Sequence, residues 1–214
     1  MAKVSNKSDR DTFALLKIAL DRGFILPLSG LDENLRFQSY KFGHDRIQQA
    51  AYDLISNADK AATHYRIGTM LYQQLSSTAK SERIFELVGP LNYGISLITE
   101  IQKRDEFAKL NLITCRKARD ATAYQTSREY AIAGLSWLGK KAWFRQYKIT
   151  FALFELAVEL ASLCGDVEEM ERLVETVATE AKSVLDRLPV YHTQIIPISL
   201  ASNPQKPFPF PKLF

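Results

Sequence analysis

Few residues in this chain have the type and spacing to do chemistry. His44, His64 and His192 are its only histidines, and their separations match no zinc signature. His44-Asp45-Arg46 holds the residue types of a kinase catalytic loop in reversed order. No matching Asn, no Asp-Phe-Gly and no glycine-rich loop accompanies it, so it is not a phosphotransfer site. His44 is expected to hydrogen-bond locally at a helix start, and His64, beside Tyr65, to be a satisfied residue at the edge of a core. Cys115 and Cys164 form no Cys-x-x-Cys pair and read as reduced thiols packed as small core residues. Glu155 and Glu159 share a helix face, but no nucleophile, base or metal partner stands with them, which leaves a solvated stripe. The phosphate-binding pattern Gly-x-x-x-x-Gly-Lys-Ser/Thr is absent. Trp137, Trp143, Phe144 and Tyr147 cluster around a hairpin turn, where they read first as core and second as the wall of a peptide groove.

The totals agree with a protein that packs and binds. With 46% hydrophobic and 24% charged residues the chain lies in the globular range, which excludes wholesale disorder. A formal charge of +4 spread along the chain disfavours nucleic acid as a partner. The polar opening lacks the apolar stretch of a secretory signal. The most apolar run, Ile149 to Leu163, is interrupted by Glu155 and Glu159 and is too short to span a bilayer. A soluble, cytoplasmic protein without membrane contact is the expectation.

The elements that must position these residues are mostly helices. Asp9 to Gly23 reads as a helix, with Phe13, Leu16, Ala19 and Leu20 at helical spacing and Gly23 as its stop. FILPL and LRFQSYKF then read as a hairpin, and helix plus hairpin is the back half of a winged helix. From His44 the period becomes helical: Ile47, Ala50, Ala51, Leu54 and Ile55 share a face, and Asp45 with Gln48 resembles a capping box. A helix from about Asp59 to Leu75 carries Gly68, which suits close approach of a neighbour. Ser81 to Thr99 is expected to kink or split at Gly89-Pro90. Lys103 to Ala123 presents a basic outer face, read as solvated. Tyr124 to Leu138 follows, and Trp143 to Cys164 is apolar around most of its circumference, so it should sit between several neighbours. Asp166 and Glu169 restart a helix whose stripe runs from Val167 to Leu188. From Pro189 the periodicity is lost, and the proline-rich end is expected to be irregular.

Internal similarity is weak but present. AVELASLCGDVEEMERLVETVATEA, from Ala157, resembles a tetratricopeptide-type hairpin, and CRKARDATAYQTSREYAIAGL, from Cys115, lies beside it with Ser127 on Met170 and Ala131 on Val174. The offset exceeds the about 34 residues of a standard repeat. The fold expected is mainly α: an irregular TPR-like α-solenoid of helical hairpins preceded by a partial winged helix. Its divisions are 1–43 for the winged-helix end, 44–190 for the helical repeat region and 191–214 for an irregular Pro-rich tail.

FGHDRIQQAAYDLI, HYRIGTMLYQQL, IFELVGPLNYGISLI, LNLITCRKARDATAYQTSREYAIAGLSWL and LCGDVEEMERLVETVATEAKSVLDRLPVY resemble the helical region of the multi-sensor signal transduction kinases of cyanobacteria and related bacteria. Those proteins join a serine/threonine kinase, an AAA- or STAND-type ATPase, the helical region, a GAF sensor and a histidine kinase. The resemblance implies a fragment: a non-catalytic segment that relays or scaffolds signals by protein contacts with kinase, ATPase or GAF modules of the same or a split protein. It places His44, Asp45, Arg46, Gln48 and Gln49 at the junction with the ATPase core, as interdomain contact residues. It implies no cofactor and no enzymatic activity in this chain. The alternative, from a different class, is a winged-helix remnant of a STAND-type transcriptional regulator that binds DNA through the helix bearing Arg10, Lys17 and Arg22.

Overall fold

The computed structural model describes residues 8–28 and 40–200, and these are mainly helical: eleven α-helices, one 3-10 turn and one two-stranded sheet. Their contacts divide the chain after Leu97 into two compact units. The boundary expected between residues 43 and 44 falls inside the first of them.

In the first unit, α1 (Asp9–Asp21) is capped by Ser8, whose Oγ accepts from the Asp11 N–H at 3.1 Å. Gly23, at φ 68°, ends it in a Schellman turn, with Phe24 N–H donating to the Ala19 carbonyl. β1 (Ile25–Pro27) pairs antiparallel with β2 (Tyr40–Phe42), Ile25 opposite Phe42. The expected start of the second strand, Leu35 to Ser39, lies outside the described residues. α2 (Asp45–Asp53) follows at once, but its apolar stripe has little cover: Ala50 and Ala51 are exposed and Leu54 is 88% exposed. The helical period is real, but only Ile47 and Ile55 of the stripe are partly buried.

α3 (Asn57–Gln74), α4 (Ser77–Glu82) and α5 (Ile84–Tyr93) complete the unit with a 3-10 turn at Ile95–Leu97. The expected split at Pro90 does not occur; the break falls at Arg83, and Pro90 sits inside α5. Ile84, Leu87, Val88 and Leu91 bury α5's inner face against α3, so packing outweighs the one hydrogen bond that proline removes. Gly68 performs the role its position suggests. A Cβ there would lie 2.8 Å from the Leu91 side chain, and one at Gly94 would lie 2.7 Å from Tyr65 Cβ. The two helices are therefore matched glycine to side chain in both directions.

The second unit comprises α6 (Ile101–Asp120), α7 (Tyr124–Leu138), the short α8 (Ala142–Arg145), α9 (Tyr147–Leu163), α10 (Val167–Glu180) and α11 (Val184–Leu200). Antiparallel hairpins form between α6 and α7 and between α9 and α10. α9 packs on α6, α7, α8, α10 and α11, the central place its all-round apolarity requires. Leu153, Leu156, Ala157, Val158, Leu160 and Ala161 all face inward there.

Two expectations fail at the C-terminal side. The stripe from Val167 does not run to Leu188 as one helix: the backbone extends at Ala181, and Val184 and Leu188 are exposed. Helix then resumes through Pro189 to Leu200, where irregular chain was expected. Val190, 2% exposed, and Tyr191 pack on the core, and this burial holds the helix past the proline. Residues 201–214 lie outside the described part.

Candidate interaction site

His44, Asp45, Arg46, Gln48 and Gln49 are all exposed and lie along the first two turns of α2. His44, not Asp45, is the N-cap: its Nδ1 accepts from the Arg46 N–H at 3.1 Å. Asp45 occupies the first turn, where a negative charge meets the positive end of the helix dipole. Gln49 Nε2 donates to Asp53 one turn on, at 2.8 Å. The five residues meet as neighbours on one helix.

His64 is less satisfied than expected. Its Nε2 is 3.0 Å from Tyr52 Oη and its ring stacks on Tyr93 at 4.4 Å, while Nδ1 is buried without a hydrogen-bond partner. Cys115 is the core residue it was read as: Ser127 Oγ donates to its carbonyl at 2.7 Å, and burial pushes its thiol above the ordinary cysteine value. On α1 the exposed Arg10 and Lys17, with Arg22 at the cap, share the helix with Asp9, Asp11 and Asp21. The three basic residues are thus matched in number by three carboxylates on the same helix. No group of three or more His, Cys, Asp or Glu able to hold a metal is present among the described residues.

The polar architecture of the second unit was only partly legible. α6's basic face is not simply solvated. Arg119 reaches Glu159 of α9 at 3.2 Å, so neither belongs to a purely solvated stripe. Arg104 donates through Nε to the Trp137 carbonyl at 2.9 Å and through Nη2 to Ser136 at 2.8 Å. Arg145 of α8 donates to the Leu138 carbonyl at 3.0 Å. Two guanidinium groups from other helices thus cover the last carbonyls of α7, which has no basic residue in its own last turn. Arg145 also pairs with the buried Asp105 at 2.8 Å, and Gln146 Nε2 donates to the same carboxylate at 2.7 Å. Asp105 carried no signal in the sequence: it sits one residue from the basic cluster and reads as another surface charge.

The four aromatic residues part company. Trp137 is fully buried edge-on to Phe107. Trp143 stacks on Phe154 at 5.0 Å, and Tyr147 donates to Asp186 at 2.6 Å. Phe144 alone turns outward, 91% exposed. It lines an open groove of about 320 Å³ with Ile101, Arg104, Leu138, Lys141 and Arg145. A second groove, about 280 Å³, lies over Ile132, Leu135 and Leu173 with Arg128, Glu169 and Arg172 at its rim.

The chain is similar to hybrid signal transduction histidine kinase G of Dictyostelium discoideum, 28% identical over 167 residues. That stretch is 67% of this chain and 5% of the kinase, so the chain spans about one-twentieth of its relative. The likeness supports a relationship to a signal transduction kinase and a signalling-related segment. No family model matches the chain, and no solved structure does. No helix among the described residues is long and apolar enough to cross a membrane.

Proposed function

We propose that this chain is a non-catalytic helical-repeat segment of a multidomain signal transduction kinase, of the multi-sensor type its sequence resembles, relaying or scaffolding signals through protein contacts. The observation that carries the reading is the likeness over two-thirds of the chain to one-twentieth of a hybrid histidine kinase. The hairpins α6–α7 and α9–α10 favour an irregular TPR-like solenoid, and α1 with the β1–β2 hairpin favours a partial winged helix at its head. Its partners on this reading are the kinase, ATPase and GAF modules of the same or a split protein, in the cytoplasm, and α2's exposed His44-to-Gln49 segment is one of the contact surfaces. Chemistry resides elsewhere in the parent, because the phosphate-binding patterns are missing from this sequence.

The test replaces the aligned stretch of the Dictyostelium kinase by this chain. Autophosphorylation and its response to signal should survive the replacement, whereas deletion of the stretch should leave autophosphorylation that no longer responds. Equal behaviour of the deletion and the parent overturns the relay reading. Calorimetry with Mg-ATP on the 214-residue chain should show no tight binding; a tight site would overturn its non-catalytic assignment.

A further inference from the structure

We propose that the groove around Phe144 is the docking site for an acidic amphipathic helix of a protein partner, an inference that rests on the relay reading and names the chemistry of one contact. Phe144 is 91% exposed, the most exposed of the large hydrophobic residues described. Its backbone is anchored on both sides by its neighbours. Trp143 before it stacks on Phe154 and packs against the core, and Arg145 after it is tied to Asp105 and to the Leu138 carbonyl. An outward aromatic on an anchored backbone has only two side-chain torsions to order on binding, as interface anchors do. Ile101, 58% exposed at the first residue of α6, supplies the rest of the accessible apolar surface, above a Leu138 side chain that is itself buried.

Charge selects the occupant. The charged residues lining the groove are Arg104, Lys141 and Arg145, all cationic. The two arginines direct donors inward to carbonyls and to Asp105, which fixes their position, while Lys141 stays exposed at the rim. An apolar side chain flanked by carboxylates complements this pattern: the apolar group meets Phe144 and Ile101, and the carboxylates meet the exposed Lys141 and the net positive charge that remains once Asp105 neutralises Arg145. A helix suits the site because the second unit offers no strand edge for extending a sheet among its described residues. Three cations and one aromatic residue are too few to anchor the chain on a lipid surface.

The test uses the full 214-residue chain and fluorescence anisotropy. One labelled helical peptide carries Leu and Phe a turn apart with Glu on either flank; a second replaces each Glu by Lys. The acidic peptide should bind, weaken with added salt, and lose about tenfold affinity on Phe144→Ser and again on Lys141→Glu. Both side chains are exposed, so the circular dichroism melts of these variants should match the parent. Absence of binding, equal binding of the Lys peptide, or binding unmoved by both substitutions overturns the proposal. So does partition of the chain onto phosphatidylserine vesicles without affinity for the acidic peptide. Peptide binding together with a failed segment replacement sustains the groove and removes the parent reading; the reverse result removes the groove alone.

Discussion

Thr122 and Gly165 occupy the same position in successive helical hairpins. The alignment that lays Ser127 on Met170 also lays Thr122 on Gly165 and the first residue of α7, Tyr124, on the first residue of α10, Val167. Both residues are left-handed, at φ 61° and 75°, and both close a Schellman turn: Ala123 N–H donates to the Ala118 carbonyl as Asp166 N–H does to Ala161. The sequences differ, but the turn geometry is shared.

The shared geometry favours glycine, and a β-branched residue at positive φ carries strain of order 1–3 kcal/mol. Thr122→Gly should therefore raise stability by about 1 kcal/mol, the relief of strain exceeding glycine's extra unfolded-state entropy. Gly165→Thr should lower it by about as much or more. Urea unfolding of both variants checks the pair, and a Thr122→Gly variant less stable than the parent would contradict the assigned turn.

Gly68 and Leu91 set the distance between α3 and α5. Since a Cβ at Gly68 falls 2.8 Å from both Leu91 Cδ2 and Cγ, Gly68→Ala should destabilise the first unit by about 1–3 kcal/mol through overpacking. Leu91→Ala, which removes the two side-chain contacts but leaves the Leu91 backbone nitrogen 3.0 Å away, should make the same glycine substitution markedly less costly. A thermal-melt cycle over the two sites is expected to show strong coupling.

What could be read from the sequence was periodicity and punctuation. Gly23 and Gly165 stop their helices, Gly68 lies at a close contact, and α9's apolar circumference places it centrally. These features depend on nearest neighbours in the chain or on one face of one helix. The misreadings have a different physical origin. Leu54 and Leu188 belong to clean apolar stripes, yet a stripe records only a capacity for burial, and both are exposed. Helix continues through Pro189 because Val190 is buried, and Tyr191 partly buried, by residues distant in sequence. The groove depended most on tertiary position. Phe144 stood out by type, but its outward orientation follows from Trp143 and Arg145 being anchored on either side, which spacing cannot express.

Asp105 and Arg145 form an ion pair whose carboxylate is nearly buried, at 11% side-chain exposure, and whose guanidinium is partly so, at 28%. Removing one partner leaves the other desolvated and unsatisfied. Asp105→Ala should cost about 2 kcal/mol, less than for a fully buried pair because solvent reaches the arginine. Asp105→Leu combined with Arg145→Met should cost less than Asp105→Ala alone, and chemical unfolding of the set measures the coupling.

Asp166 links α7 to α10: it caps α10 through the Glu169 N–H at 3.1 Å and accepts from Arg128 of α7 at 2.6 Å. The Glu169 backbone hydrogen bond, followed by the Arg128 side chain, holds its carboxyl below the usual aspartate value. A depressed folded-state pKa means that the unfolded chain takes up the proton first as pH falls. The stabilisation is then complete at neutral pH and above the ordinary aspartate range near about 4, and it disappears as pH drops through the lower folded value. Asp166→Asn keeps a side-chain oxygen for the cap and loses the charge, so its melting temperature should lie below the parent's at pH 7 and converge with it in acid. Asp166→Ala loses both and should remain below the Asn variant at every pH. A gap between parent and Asn variant that stays constant down to the acid limit would show that the charge contributes nothing to this junction.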